Sequence, residues 1–144
     1  MSLYTEMSFT ALSGGDLDLI SNGAVNSLTS IGNTLYVGGV NDSTGAIVIK
    51  SYDSVNKTWT NLSGGDFVPG DDIYSLTSIG NTLYVAGYSD YTGGVIIKSY
   101  DIVNKIWTNL SGGDLGRISD GYVNTLTSIH GVLYAGGEIG RAHV

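Results

Sequence analysis

The chain contains no cysteine, one proline, two histidines and only 13% charged residues. Without cysteine there is no disulfide, no thiolate metal site and no thiol nucleophile. The two histidines are His130, at a turn position, and His143, the penultimate residue, so no Ser-His-Asp set can be assembled around them. Positive charge is scarce as well: six Lys and Arg stand against thirteen Asp and Glu, for a net charge of −7. That balance argues against nucleic acid, whose phosphates call for a basic surface, and against anionic membrane surfaces. No run of about 18 apolar residues is present, so no helix is expected to span a membrane. The opening MSLYTEMSFT has neither the basic segment nor the apolar stretch of a signal peptide. Helical periodicity is also missing from every window.

What the chain does have is the composition of a β protein, with 22 Gly, 10 Tyr and abundant Thr, Ser, Val and Ile. Its 42% hydrophobic content argues against disorder, and 144 residues can bury a single core. It also repeats itself. Ser27 to Phe67 and Ser75 to Leu115 align without a gap, with 31 of 41 positions identical. A third copy begins at Thr125 (TLTSIHGVLYAGG), and the end of an earlier one precedes the first, over Phe9 to Asn26. The copies are spaced by 48 and then 50 residues, a period that signals stacked or ring-forming repeats.

Each copy reads as four short strands. In the first they are Val25 to Ile31, Thr34 to Gly38, Ala46 to Tyr52 and Thr58 to Leu62. Gly32-Asn33 is a two-residue hairpin signal, Asn41 to Gly45 a loop, and Asp53 to Lys57 a turn. The expected class is therefore all-β.

The segments IGNTLYVGG and IKSYDSVNKTW, with the latter's twin IKSYDIVNKIW, together resemble the kelch motif: hydrophobic-turn-Tyr-Val-Gly-Gly, then Tyr-Asp, Asn and Trp. There are departures. Ala86 replaces the first Gly of the pair in the second copy, and Leu-Ser-Gly-Gly-Asp stands where many kelch repeats are Pro-rich. The pattern is also similar to bacterial propeller repeats of the form Val-Asn-x-Leu … Leu-Tyr-Val-Gly-Gly … Trp-x-x-Leu. The resemblance implies a kelch-like β-propeller fragment of about three four-stranded blades. Residues 1–24 would form a partial blade, 25–72 and 73–122 two full blades, and 123–137 the first two strands of another.

Residues 138–144 (EIGRAHV) break the pattern, and the same seven residues are encoded by the start of a common sequencing-library adapter. The expectation is a non-native tail on a truncated reading frame from a metagenomic source, with native blades continuing after about Gly137. Three blades cannot close a ring, and open blades leave edges exposed. Two copies on a twofold axis would supply six, so a homodimer is expected.

The repeated residues carry structural expectations. Gly38, Gly39 and Gly87 end the second strand, where backbone approaches a neighbour or takes positive φ. Trp59 and Trp107 fill the wedge between blades, with Phe9 in the same phase. Lys50 and Lys98 snorkel along a blade surface or pair with an acid.

Candidate binding residues lie on one rim. Ser-Gly-Gly-Asp recurs at 13–16, 63–66 and 111–114, and the loops Asn41 to Gly45 and Ser89 to Gly93 emerge on the same side. This gives Asp42, Asp66, Asp72, Asp90 and Asp114 as carboxylates, and Tyr88 and Tyr91 as aromatic contacts. Such a ring of carboxylates suits Ca²⁺. Gly and Asp, however, form turns unaided, and no Asp-x-Asp-x-Asp loop is present, so no cofactor and no metal site is expected. No catalytic residue is expected either. The functional expectation is a non-catalytic binding or scaffold module that recognises a protein or a glycan through its rim loops. The competing reading is a fragment of a propeller enzyme, of oxidase or sugar-isomerase type, whose active site lies in missing blades.

Overall fold

The computed structural model describes residues 23–41, 44–62, 64–91, 94–110 and 122–138, all of them in strands, turns and short connections without a helix. Ten strands follow in order: β1 (Gly23–Ile31), β2 (Thr34–Asn41), β3 (Ala46–Asp53), β4 (Thr58–Asn61), β5 (Asp71–Ile79), β6 (Thr82–Ser89), β7 (Gly94–Asp101), β8 (Ile106–Asn109), β9 (Tyr122–Ile129) and β10 (Val132–Glu138). They form three antiparallel sheets, β1-β2-β3-β4, β5-β6-β7-β8 and β9-β10. The protein is all-β, and each sheet is a simple meander.

Local chemistry sets the hairpins. At the β1–β2 and β5–β6 turns the positive φ falls on Gly32 (57°) and Gly80 (56°), the first turn residue, as in type II′ turns. In the β9–β10 turn both His130 (49°) and Gly131 (76°) are left-handed, so His130 is an exposed turn residue. The β3–β4 turn is built on Asp53. Its Oδ1 accepts the backbone N–H of Val55 (2.9 Å) and Asn56 (3.1 Å), and its Oδ2 the Asn56 amide (3.0 Å). Asp101 repeats this with Val103 (2.9 Å) and Asn104 (3.1 and 2.8 Å). These donors to the charged form hold both carboxyls below the usual range, mainly through the backbone and side chain of Asn56 for Asp53, and of Asn104 for Asp101. The Asp and Asn of the repeated motif are thus turn residues.

The second strand runs past the expected Gly38 to Asn41, so Gly38 and Gly39 lie inside β2 rather than at its end, and neither takes positive φ. Their reason is a bulge. Asn26 has no partner in the β1–β2 register, which passes from Val25–Gly39 to Ser27–Gly38. Tyr74 is passed over in the same way opposite Gly87 and Ala86, and Asn124 opposite Gly137 and Gly136. The bulge brings backbone onto the glycines: a Cβ on Gly39 would land on the Ala24 carbonyl oxygen, and one on Gly87 on that of Asp72. Gly38 differs, since a Cβ there would meet only side chain, Leu76 Cδ1 at 3.1 Å. Ala86 fills the matching place in the second sheet, fully buried.

The sheets stack through their first strands, β1 against β5 and β5 against β9, with β2 and β3 reaching β5, and β6 and β7 reaching β9. One core lies between the first two sheets, where Tyr36 and Ile49 meet Ile73, Leu76, Leu83 and Val85. Ala86 and Ile97 meet Val123 and Leu126 in the second core. Because β1, β5 and β9 each end a sheet, one edge of each lacks a strand partner among the described residues. Side chains from the neighbouring sheet satisfy that edge. Leu76 N–H donates to Ser27 Oγ (2.9 Å), Ser78 Oγ donates to the Ser30 carbonyl (2.9 Å), and Asn26 Nδ2 to the Ile73 carbonyl (2.7 Å). At the next junction Leu126 N–H donates to Ser75 Oγ (2.9 Å) and Ser128 Oγ to the Ser78 carbonyl (3.1 Å). The recurring Ser-Leu-Thr-Ser is therefore the stitch between sheets.

Candidate functional site

The connection from β4 to β5 shapes the rim. Gly64 (93°), Gly65 (84°) and Asp66 (53°) take positive φ in succession, and Gly70 (96°) follows, which accounts for Gly-Gly-Asp as a turn sequence. The connection folds back on the second sheet. Lys98 Nζ donates to the Gly65 carbonyl and lies 4.6 Å from the centre of the Phe67 ring. Trp107 meets Phe67 edge-on (5.5 Å, 88°) and Tyr100 at a tilt (4.8 Å, 41°). Trp107 thus packs on the segment that joins the first two sheets. Trp59 repeats the pairing with Tyr52 (4.9 Å, 43°) and is half-buried. Neither lysine pairs with an acid among the described residues. Lys98 takes a carbonyl and a ring instead, and Lys50 is 1% exposed with no hydrogen-bond partner for its ammonium among the described residues.

Between this connection and strands β6 to β8 lies a cleft of about 340 Å³, walled by Asp66, Val68, Asp71, Ser89, Tyr91 and Lys98. Asp71 is 4% exposed, and its Oδ2 accepts the Val68 N–H (2.9 Å). Its Oδ1 is buried without a hydrogen-bond partner among the described residues. A carboxylate oxygen out of water and unpaired costs stability unless something donates to it. Tyr91, by contrast, is 82% exposed beside the cleft. The first sheet has a cleft of about 320 Å³ at the matching place, walled by Asn41, Lys50 and Asn61. There the position of Asp71 is held by Gly23, and that of Tyr91 by Ser43.

Around the corner of the same rim, Asp72 pairs with Tyr88 across β5 and β6, and Asp90 N–H donates to the Gly70 carbonyl (2.9 Å). Partial burial, then the charges of Asp90 and Asp71, push the Asp72 carboxyl above its ordinary value. Tyr74 is pushed up by burial and by Asp72, Asp90 and Tyr88. Among the described residues no three carboxylate or imidazole groups converge to hold a metal ion.

Of the expected binding residues, Asp66 and Tyr91 meet at the cleft, and Asp72, Tyr88 and Asp90 form the adjoining patch. A Cβ placed on Gly45 would lie about 4 Å from Gly70 N and Pro69 Cβ, and one on Gly70 about 4 Å from Asp90 Cβ and Tyr91 N, so the Pro69-Gly70 corner runs close to Gly45 on one side and to Asp90 and Tyr91 on the other. Asp42 and Asp114 lie outside the described residues, as do Phe9, the Ser-Gly-Gly-Asp segments at 13–16 and 111–114, and the tail beyond Glu138. Sequence reasoning missed Asp71 as a cleft residue. Its signal was present: five rim residues of the second copy, Asp71, Asp72, Tyr74, Tyr88 and Tyr91, have Gly23, Ala24, Asn26, Val40 and Ser43 as counterparts in the first. A scan of the chain against protein-family models finds no match, and a search of curated proteins finds no relative.

Proposed function

We propose that the chain is a segment of a kelch-like β-propeller that works as a non-catalytic binding module, with its ligand seated on the rim of the second sheet. Four-stranded meanders stacked through their first strands, with the later strands fanning away, support the propeller reading. The observation that carries the binding reading is the Asp71 oxygen, buried and unpaired at the cleft beside an exposed Tyr91. Two copies of one repeat meet the same folding demands, so the rim residues at which they differ are not needed for the sheet. A ligand that offers a hydroxyl to Asp71 and a flat apolar face to Tyr91 is a glycan, and a sugar ring has both. A protein ligand would use the same aromatic and acidic patch.

The test is a glycan array and a peptide array, each probed with wild type, Asp71→Asn and Tyr91→Ala. A glycan signal is expected to fall tenfold or more with Asp71→Asn, because a hydrogen bond to a charged group is worth about 1.5–3 kcal/mol. A signal on peptides alone would turn the reading to a protein ligand. Binding that neither substitution changes, or none on either array, would reject this site.

A further inference from the structure

We infer that the open faces at the two ends of the stack dock on each other between copies, so that two chains close head to tail. This goes beyond the rim site and does not depend on what the rim binds. The argument rests on residues whose repeats are already buried inside the chain. Ile73 and Leu76 of the second sheet are 0% and 4% exposed, and Val123 and Leu126 of the third are 2% and 6% exposed, each pair covered by the sheet before it. Their counterparts in the first sheet, Val25 and Leu28, are 49% and 56% exposed. At the other end Tyr134 is 50% exposed, whereas Tyr36 in the same phase is 6% exposed under the second sheet. One end therefore shows the apolar surface that each sheet offers backwards, and the other the surface that each sheet offers forwards.

The polar groups match as well. In the first junction Asn26 reaches the Ile73 carbonyl, Ser27 accepts from Leu76 N–H, and the Ser30 carbonyl accepts from Ser78. The third sheet carries Asn124 and Thr125, both exposed, and Ser128 in the same phases as Asn26, Ser27 and Ser30. Opposite them a second copy presents the Val25 carbonyl, the Leu28 N–H and the Ser30 hydroxyl on the edge of β1 that has no strand partner among the described residues. The docked pairs are Asn124 to the Val25 carbonyl, Leu28 N–H to the Thr125 hydroxyl, and the Ser30 hydroxyl to the Ser128 carbonyl. Tyr134 lies over Val25 and Leu28. Since the surfaces differ, the contact is head to tail, and two such contacts related by a twofold axis close the assembly.

Light scattering after size exclusion tests this on wild type, Leu28→Asp and Tyr134→Asp, with circular dichroism to show that each variant is folded. Leu28 and Tyr134 are both exposed in the single chain, so the substitutions leave its own cores intact. Wild type is expected at twice the 15.0 kDa chain mass, and each variant alone at the single-chain mass. An equimolar mixture of the two variants restores a twofold mass, because one intact junction remains between Leu28 of one variant and Tyr134 of the other. A monomeric wild type, a dimer untouched by either substitution, an open ladder of masses, or variants that do not recombine would each overturn the inference.

Discussion

Gly39→Ala separates two reasons for a repeated Gly-Gly pair. The new methyl group would fall on the Ala24 carbonyl oxygen, 3.0 Å from the Ala24 carbonyl carbon and 3.2 Å from Val25 Cα, all of it backbone. That backbone belongs to the bulge and is tied to β2, so it cannot retreat without opening the ladder. The expected cost is about 3 kcal/mol, the upper end for overpacking against atoms that cannot move. In a chain of this size that lowers Tm by about 6–12 °C. Gly38→Ala is the internal control. Its methyl meets Leu76 Cδ1 at 3.1 Å, Leu76 Cγ at 3.3 Å and Ile73 Cγ2 at 3.4 Å, side-chain atoms that can give by a few tenths of an ångström. Removing backbone freedom from the unfolded chain returns about 0.4–1 kcal/mol, so the net change stays within about 1 kcal/mol. Ala86 already shows the methyl group accommodated. Urea unfolding monitored by circular dichroism measures both variants. Equal midpoints for the two would refute the bulge as the reason for the second glycine.

Other perturbations probe the stitching, the wedge and the charged groups. Ser75→Ala removes the acceptor for the Leu126 N–H at a buried junction and is expected to cost about 1–3 kcal/mol by the same urea assay. Trp107→Ala takes away the ring that meets Tyr100 and Phe67, for a loss of about 3 kcal/mol in thermal unfolding. Asp53 and Asp101 have lowered carboxyl pKa values in the fold, so the stability they contribute is present above the unfolded value of about 3.9 and is lost as pH falls through their folded values. The double variant Asp53→Asn, Asp101→Asn should therefore show a smaller loss of Tm on acidification than wild type. Asp72 has the opposite sign: its pKa is raised, so stability is lost as pH rises from about 4 through the folded value. Asp72→Asn is expected to melt above wild type at pH 7 and level with it near pH 3.

Much of this was legible in the residues alone. Turns need particular backbone angles over a few neighbouring positions, so Gly32-Asn33 and Asp53 to Lys57 announce themselves wherever they occur. Strand alternation is equally local, and the four strands of the first copy fall within a few residues of their expected ends. Internal repetition then carries that reading into the second and third copies. Asp66, Asp90 and Tyr91 sit in connections with turn sequences of their own, while Asp72 and Tyr88 stand in the strand ends beside them.

What only the tertiary structure decided are relations between residues far apart in the chain. Lys98 finds the Gly65 carbonyl across 33 positions, and Leu76 finds Ser27 across 49, with no local pattern to mark either pair. Gly39 looks like a strand end until the bulge at Asn26 puts backbone against it. Asp71 stands out from Gly23 of the first copy in sequence, but only packing removes water from one of its oxygens and leaves that oxygen unpaired among the described residues. Sequence by itself determined that this chain makes repeated antiparallel sheets, because turn angles and alternation are properties of neighbours. Which polar groups lost their water, and which apolar faces kept it, depends on how the sheets stack on one another.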